Sequence, residues 1–195
     1  MYILYFKRMF DLIMSVVLLI ITAVPMLIIA LAIKLTSDGP AFFKQERIGK
    51  DSIPFTIFKF RSMSVGTKAI SAQNRVDGDV HITRVGHFLR KTSLDELPQL
   101  FNILKGDMSF IGPRPLAEVD AETIQLRKKN GADQVRPGIS GLAQVSGRNL
   151  VNSELKAFYD GEYSQNITLL NDARIIILTL RIVIAQEGID SEKNK

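Results

Sequence analysis

The sequence predicts an α/β domain, mostly helical with short strands, anchored to a membrane at its N-terminus. Three observations predict this: an uncharged apolar run from Leu12 to Ile33, two short alternating segments after it, and five helical stretches in the remaining chain. Composition agrees. A chain of 195 residues that is 46% apolar and 23% charged is not disordered and can bury a core. The absence of cysteine excludes disulfides, thiolate nucleophiles and Cys-based metal centres. Two histidines, His81 and His87, are too few for a His-rich metal site. A net charge of +5, with a pI near 9.5, points to an anionic partner: nucleic acid, acidic lipid head groups or a phosphorylated substrate.

In the apolar run only Ser15, Thr22 and Pro25 interrupt the hydrophobic residues. As one straight helix it rises about 33 Å, enough to cross the hydrocarbon core. Pro25 lies mid-segment, lacks an N–H and crowds the carbonyl of Ile21, so a kink or break is expected there. Broken at Pro25, the halves measure about 20 and about 14 Å, and neither spans. Lys7 and Arg8 ask for a cytoplasmic N-terminus, and Lys34, Lys44, Arg47 and Lys50 ask the same of the chain that follows. A helix–break–helix over residues 1–34 that bends at Pro25 and returns to the same side satisfies both. Residues 35–195 then form one domain on the cytoplasmic face. The alternatives are a kinked span and a signal peptide cleaved after Ala30-Leu31-Ala32. Against the latter, the apolar run exceeds the usual h-region of about 7–15 residues.

Phe42-Phe43-Lys44 and Phe55–Phe60 alternate as strands do, separated by the turn residues Gly49-Lys50-Asp51-Ser52. Residues 64–80 are polar and read as a loop. A short helix is expected near 82–90. A second, from about Ser93 to Leu104, ends at Lys105-Gly106, a helix C-terminal signal. Leu116 to Lys129 is acidic early and basic late, complementing the helix dipole, and closes at Asn130-Gly131. Residues 136–149 are punctuated by glycine and read as loop and turn, and a helix spans about 153–163. The last helix, Asp172 to Gln186, is apolar nearly all round, with Arg174 and Arg181 on one narrow face. It suits either an amphipathic helix in the membrane interface or a central helix of the domain.

The chemistry concentrates in Phe88 to Asn102, where the adjacent carboxylates Asp95 and Glu96 follow Arg90 and Lys91. Ser93-x-x-Glu96 is also a capping-box pattern, and acids belong in a first helical turn. Pro98 places the helix start close to Asp95. Around this tract stand cations that core building does not need: Lys59, Arg61, Arg90, Arg114 within Gly112-Pro113-Arg114-Pro115, Arg136 within Arg136-Pro137-Gly138, and Arg148 within Gly147-Arg148-Asn149. Arginines held in Pro/Gly turns suit bidentate recognition of phosphate. No glycine-rich stretch matches a Walker loop or G-x-G-x-x-G. An Asp–Glu pair beside a cation cluster points to Mg²⁺-assisted phosphoryl chemistry.

These motifs, together with Lys7-Arg8-Met9-Phe10-Asp11, Gly39-Pro40, Gln45-Glu46-Arg47-Ile48-Gly49, Lys59-Phe60-Arg61-Ser62-Met63 and Gly106 to Pro115, resemble the monotopic phosphoglycosyl transferases, the bacterial sugar transferase family. The likeness runs nearly the whole length. It departs at Val24, where the family often has Ser before the membrane proline, and at Leu142, where an aromatic often follows glycine. The resemblance implies transfer of a sugar-1-phosphate from a UDP-sugar to a polyprenyl (undecaprenyl) phosphate at the bacterial inner membrane, with release of UMP. It implies Asp95 as the nucleophile of a covalent phosphosugar intermediate, Glu96 as a Mg²⁺ ligand with Asp95 beside it, and ping-pong kinetics. Lys59, Arg90, Arg114, Arg136 and Arg148 are the candidates to neutralise phosphate oxygens. The expected partners are UDP-sugar, polyprenyl phosphate and the lipid bilayer, and not nucleic acid. The sugar, the polyprenol length and the oligomeric state stay open. The rival reading is a membrane-tethered, non-catalytic binder of anionic lipid or nucleic acid.

Overall fold

The computed structural model describes residues 2–64, 82–147 and 152–185. After a π-helical turn at Tyr2–Phe6, helix α1 runs from Lys7 to Thr36. It is long and apolar enough to cross a membrane, with mean hydropathy 3.1 over its most apolar stretch. Its pattern is inverted relative to a helix on a soluble domain. The face toward the protein begins with Lys7, Asp11 and Ser15, four residues apart, and only then becomes apolar at Met26 and Ile33. The outward face, including Ile13, Ile20, Val24, Leu27 and Leu31, is exposed and apolar. Helix α1 continues through Pro25, so of the kink or break expected there the break is absent. One missing N–H removes a single rung of the ladder, and the turns on either side keep their own.

Strands β1 (Phe42–Ile48) and β2 (Pro54–Phe60) form an antiparallel hairpin in register Phe42↔Phe60 to Ile48↔Pro54. Its turn uses Asp51 and Ser52 at positive φ, a conformation short polar side chains tolerate. Helix α2 (Arg84–Lys91) is capped by Thr83, whose hydroxyl accepts from Gly86 N–H. A 3-10 turn (Leu94–Glu96) follows, and then helix α3 (Gln99–Lys105), which ends at Gly106 with φ +98. The sequence expectation of one helix from Ser93 is therefore corrected. Pro98 cannot donate inside a helix, so the α-helix proper starts after it.

Strand β3 (Ser109–Ile111) pairs in parallel with β4 (Gly138–Ser140), and between them lies α4 (Ala121–Asn130), closed at Gly131 with φ +80. Neither β4 nor α5 (Leu142–Gly147) was expected in the glycine-punctuated tract 136–149. Each strand is only three residues long, too short to show a period-2 pattern. Helices α6 (Ser153–Gln165) and α7 (Leu169–Ala185) complete the chain, α7 starting three residues earlier than expected. The buried residues form three clusters. The first seats Met26 and Ile33 of α1 on Phe60 and Leu89. The second packs Leu18 and Leu19 of α1 against Ile57, Leu100, Ile103 and Met108. The third joins Ile111, Tyr163, Ile167 and Ile175. The anchor helix thus contributes to two of the three clusters, and the third forms without it. On α7, Ile177, Leu180 and Ile184 are exposed, as are Arg174 and Arg181, an amphipathic arrangement.

Two glycines differ sharply in what they demand. A Cβ on Gly86 would meet the Ser62 carbonyl oxygen at 1.9 Å, whereas one on Gly131 meets nothing within 4 Å. Thermal unfolding of detergent-solubilised protein is expected to show Gly86→Ala losing the cooperative transition or dropping far below wild type. Gly131→Ala should cost only about 1–2 kcal/mol, the strain of a left-handed alanine.

Candidate active site

The fold brings Asp95 and Glu96 to the wall of one cavity of about 630 Å³. Their placement starts with Asn102 of α3. Its side-chain amide donates to the Thr56 carbonyl at 2.7 Å and its Oδ1 accepts from Phe58 N–H at 3.0 Å, clipping α3 to β2. Lys59 is the next residue along β2. Ser93, at φ +57, reverses the chain after α2 so that the 3-10 turn faces this strand. The Lys59 ammonium then donates to Glu96 Oε1 at 2.6 Å, and the Arg114 guanidinium lies 3.5 Å from the same oxygen. Ser93 makes no capping hydrogen bond, so the expected capping box is not formed. Glu96 serves the cation cluster instead.

Electrostatics separate the two carboxyls. Burial is the largest single influence on Glu96 and pushes it up, but Lys59 and Arg114 together outweigh it and hold the carboxyl at about 2. Burial also dominates at Asp95 and pushes it above the ordinary carboxylate value. Lys59, Arg90 and Arg114 oppose that rise, and the Glu96 charge adds to it. The α-helix begins only at Gln99, so the ionised form depends on the three cations.

Lys59, Arg90 and Arg114 line the cavity with the two carboxylates. Arg136 does not. Its Nε donates to the Gly106 carbonyl at 2.9 Å, tying β4 to the end of α3. Arg148, and the polar tract 65–81 with His81, lie outside the described residues. Several lining residues had no mark in the sequence. Arg127 and Asp160 form a buried ion pair at 2.6 Å, and Arg127 Nη1 donates to the Arg114 carbonyl at 2.9 Å. Read from sequence, Arg127 only completes a helix dipole; its acid lies 33 residues away. Lys156, His87 and Gln144 also line the cavity, as do Leu18 and Thr22 of α1 and Ile182 and Val183 of α7. The lining thus combines charged groups with apolar residues of the anchor and the last helix. Such a chamber can hold a phosphate-bearing group against a carboxylate beside an apolar wall.

The Glu96 carboxyl sits below its unfolded value, so its ion pairs stabilise the fold above about pH 4.5, and that stability is lost as pH falls toward about 2. Thermal unfolding is expected to show Glu96→Gln less stable than wild type at neutral pH, with the gap closing across that window. A gap that stays constant with pH contradicts the assignment.

With this geometry in place, comparison with known proteins is informative. The family model described as bacterial sugar transferase matches residues 2–186. The chain is 42% identical over 183 residues to the uncharacterized sugar transferase EpsL of Bacillus subtilis, covering 94% of this chain and 89% of that protein. It is 39% identical over 203 residues to the undecaprenyl-phosphate galactose phosphotransferase of Salmonella typhimurium, covering 94% of this chain but 41% of that one. It is 39% identical over 191 residues to the UDP-glucose:undecaprenyl-phosphate glucose-1-phosphate transferase of Caulobacter vibrioides, covering 93% and 71%. It therefore spans most of the first and third relatives and about two fifths of the second. The match extends through the anchor helix and every element that lines the cavity, and the chain belongs to the bacterial sugar transferase family.

Proposed function

We propose that the protein transfers a sugar-1-phosphate from a UDP-sugar to undecaprenyl phosphate, giving the polyprenyl diphosphate sugar and UMP. One observation carries this reading: Asp95, Lys59, Arg90 and Arg114 line the same chamber as Leu18 and Thr22 of the apolar anchor helix. A chamber that joins charged and apolar lining suits a water-soluble donor and a lipid acceptor, and the relative named for UDP-glucose and undecaprenyl phosphate supports it. The Asp95 carboxylate attacks the sugar-bearing phosphorus of the donor, the phosphoanhydride bond to UMP breaks, and an acyl phosphate of the sugar phosphate remains on the enzyme. A phosphate oxygen of undecaprenyl phosphate then attacks the same phosphorus, breaking the acyl phosphate and freeing Asp95. One anhydride replaces another at each step, so no other energy source is required. The two substrates use one site in turn, a ping-pong sequence.

Lys59, Arg90 and Arg114 neutralise the phosphate oxygens that would otherwise repel the carboxylate, with Arg148 proposed to join them. Among the described residues no three His, Cys, Asp or Glu side chains gather into a metal cage. Magnesium needs none: it binds through one or two carboxylates with substrate phosphates, and Asp95 and Glu96 meet that requirement. Bound there, Mg²⁺ supplies further neutralisation of the diphosphate.

The anchor is proposed to be re-entrant, bending at Pro25 and leaving the catalytic domain on the cytoplasmic face. A straight 30-residue helix is about 45 Å long. Yet Lys7 and Asp11 near one end and Met26 and Ile33 near the other are all buried on the same domain. A perpendicular span would drag that domain into the hydrocarbon, where its exposed charges cannot be satisfied.

UMP release is expected from at least one of a panel of UDP-sugars with Mg²⁺ and undecaprenyl phosphate. Asp95→Asn should abolish it; a protein that only binds lipid would release none in either form. Because the Asp95 carboxyl is raised, kcat/KM should rise with pH through an acid limb above about pH 4. Lys59→Gln should move that limb to higher pH, since a cation favouring the ionised carboxylate is gone. An unmoved limb contradicts the assignment.

A further inference from the structure

The polar start of the anchor helix has no role in the chemistry above, yet it is buried and fully engaged. Lys7 Nζ donates to Asp172 Oδ2 at 2.6 Å, and Tyr2 OH donates to the same oxygen at 2.7 Å. The Tyr163 hydroxyl lies 2.7 Å from Asp172 Oδ1 and 3.1 Å from the Ile111 carbonyl oxygen. Asp11 Oδ1 accepts from Phe110 N–H at 3.2 Å. Both contacts therefore fall on neighbouring residues of β3, one directly from α1 and one relayed through Asp172 and Tyr163.

Strand β3 leads into Gly112-Pro113-Arg114 with no slack. Gly112 N–H donates to the Ser140 carbonyl and the Pro113 carbonyl accepts from Gly138 N–H, each at 2.9 Å. A Cβ on Gly112 would meet the Arg136 carbonyl oxygen at 2.3 Å, so this backbone is wedged against its neighbour. The Arg114 carbonyl is then held by Arg127. A stiff segment transmits a shift at Phe110 or Ile111 to Arg114, whose guanidinium faces Glu96.

We infer that Asp11 and Tyr163 are positioning residues for the reaction: they hold β3 in register with the anchor helix and thereby set Arg114 against the donor phosphates. The inference rests on the role proposed for Arg114. Seating of the helix in the bilayer and placement of the active-site cation become one mechanical event. Neither residue touches substrate in this scheme. Asp11 works as an acceptor for one N–H, so an amide oxygen can replace it.

The test is a set of double-mutant cycles on UMP release by the full chain in lipid nanodiscs. Asp11→Ala is expected to lower kcat/KM for the UDP-sugar on the order of tenfold or more, because small misplacements of a positioned group are costly. Asp11→Asn should recover most of it. In an Arg114→Lys background, where the guanidinium fork is already lost, Asp11→Ala should cost less than about twofold more. Tyr163→Phe, which keeps the buried ring, is expected to behave as Asp11→Ala does and covers the case in which that variant fails to fold. Losses of equal factor in both backgrounds, or Asp11→Asn as impaired as Asp11→Ala, overturn the positioning role. Absence of UMP release from wild type with every donor would instead overturn the proposed function.

Discussion

Two carboxylates adjacent in sequence cannot both be charged in a half-buried pocket without nearby cations, and this constraint organises the rest of the molecule. Each cation comes from a different element: Lys59 from β2, Arg90 from α2, and Arg114 from the turn after β3. None is close to Asp95 in the chain except Arg90. Long-range packing therefore has to deliver the charges, and the buried polar contacts do so. Asn102 clips α3 to β2, and the Arg127–Asp160 pair holds the Arg114 backbone. Removing a cation would leave a buried acid uncompensated, which costs more than the ion pair itself contributes.

The same arrangement explains why the anchor helix is part of the domain rather than a tether. Its outward face suits hydrocarbon, while its inward face supplies Leu18 and Leu19 to the core and Leu18 and Thr22 to the cavity wall. Lys7 and Asp11 would be prohibitively costly in lipid. Against the domain they are paired or hydrogen-bonded, so their burial becomes favourable only once the domain has folded onto the helix. Anchor and domain specify each other.

Much of this was legible in the sequence because it rests on local signals. The hairpin, the glycine stops at Gly106 and Gly131, the long apolar helix and the Asp95–Glu96 tract were all readable from patterns a few residues long. What escaped detection depends on partners far apart in the chain. Asn102, Asp160 and Asp172 look like ordinary polar residues until Thr56, Arg127 and Lys7 come beside them. Strands β3 and β4 are too short for periodicity, and Arg136, similar to Arg114 in its Pro/Gly context, is drawn off to the Gly106 carbonyl. At Pro25 the helix continues where a break was one of the expectations, because the one lost hydrogen bond is set against the intact turns around it.

The most direct measurement is chemical trapping of the enzyme after exposure to UDP-sugar and Mg²⁺ with no isoprenoid acceptor present. Intact-mass analysis is expected to show one added sugar phosphate per chain, removed by hydroxylamine and mapped by peptide sequencing to Asp95. A donor that releases UMP only when undecaprenyl phosphate is present, with the enzyme mass never changing, would contradict the account.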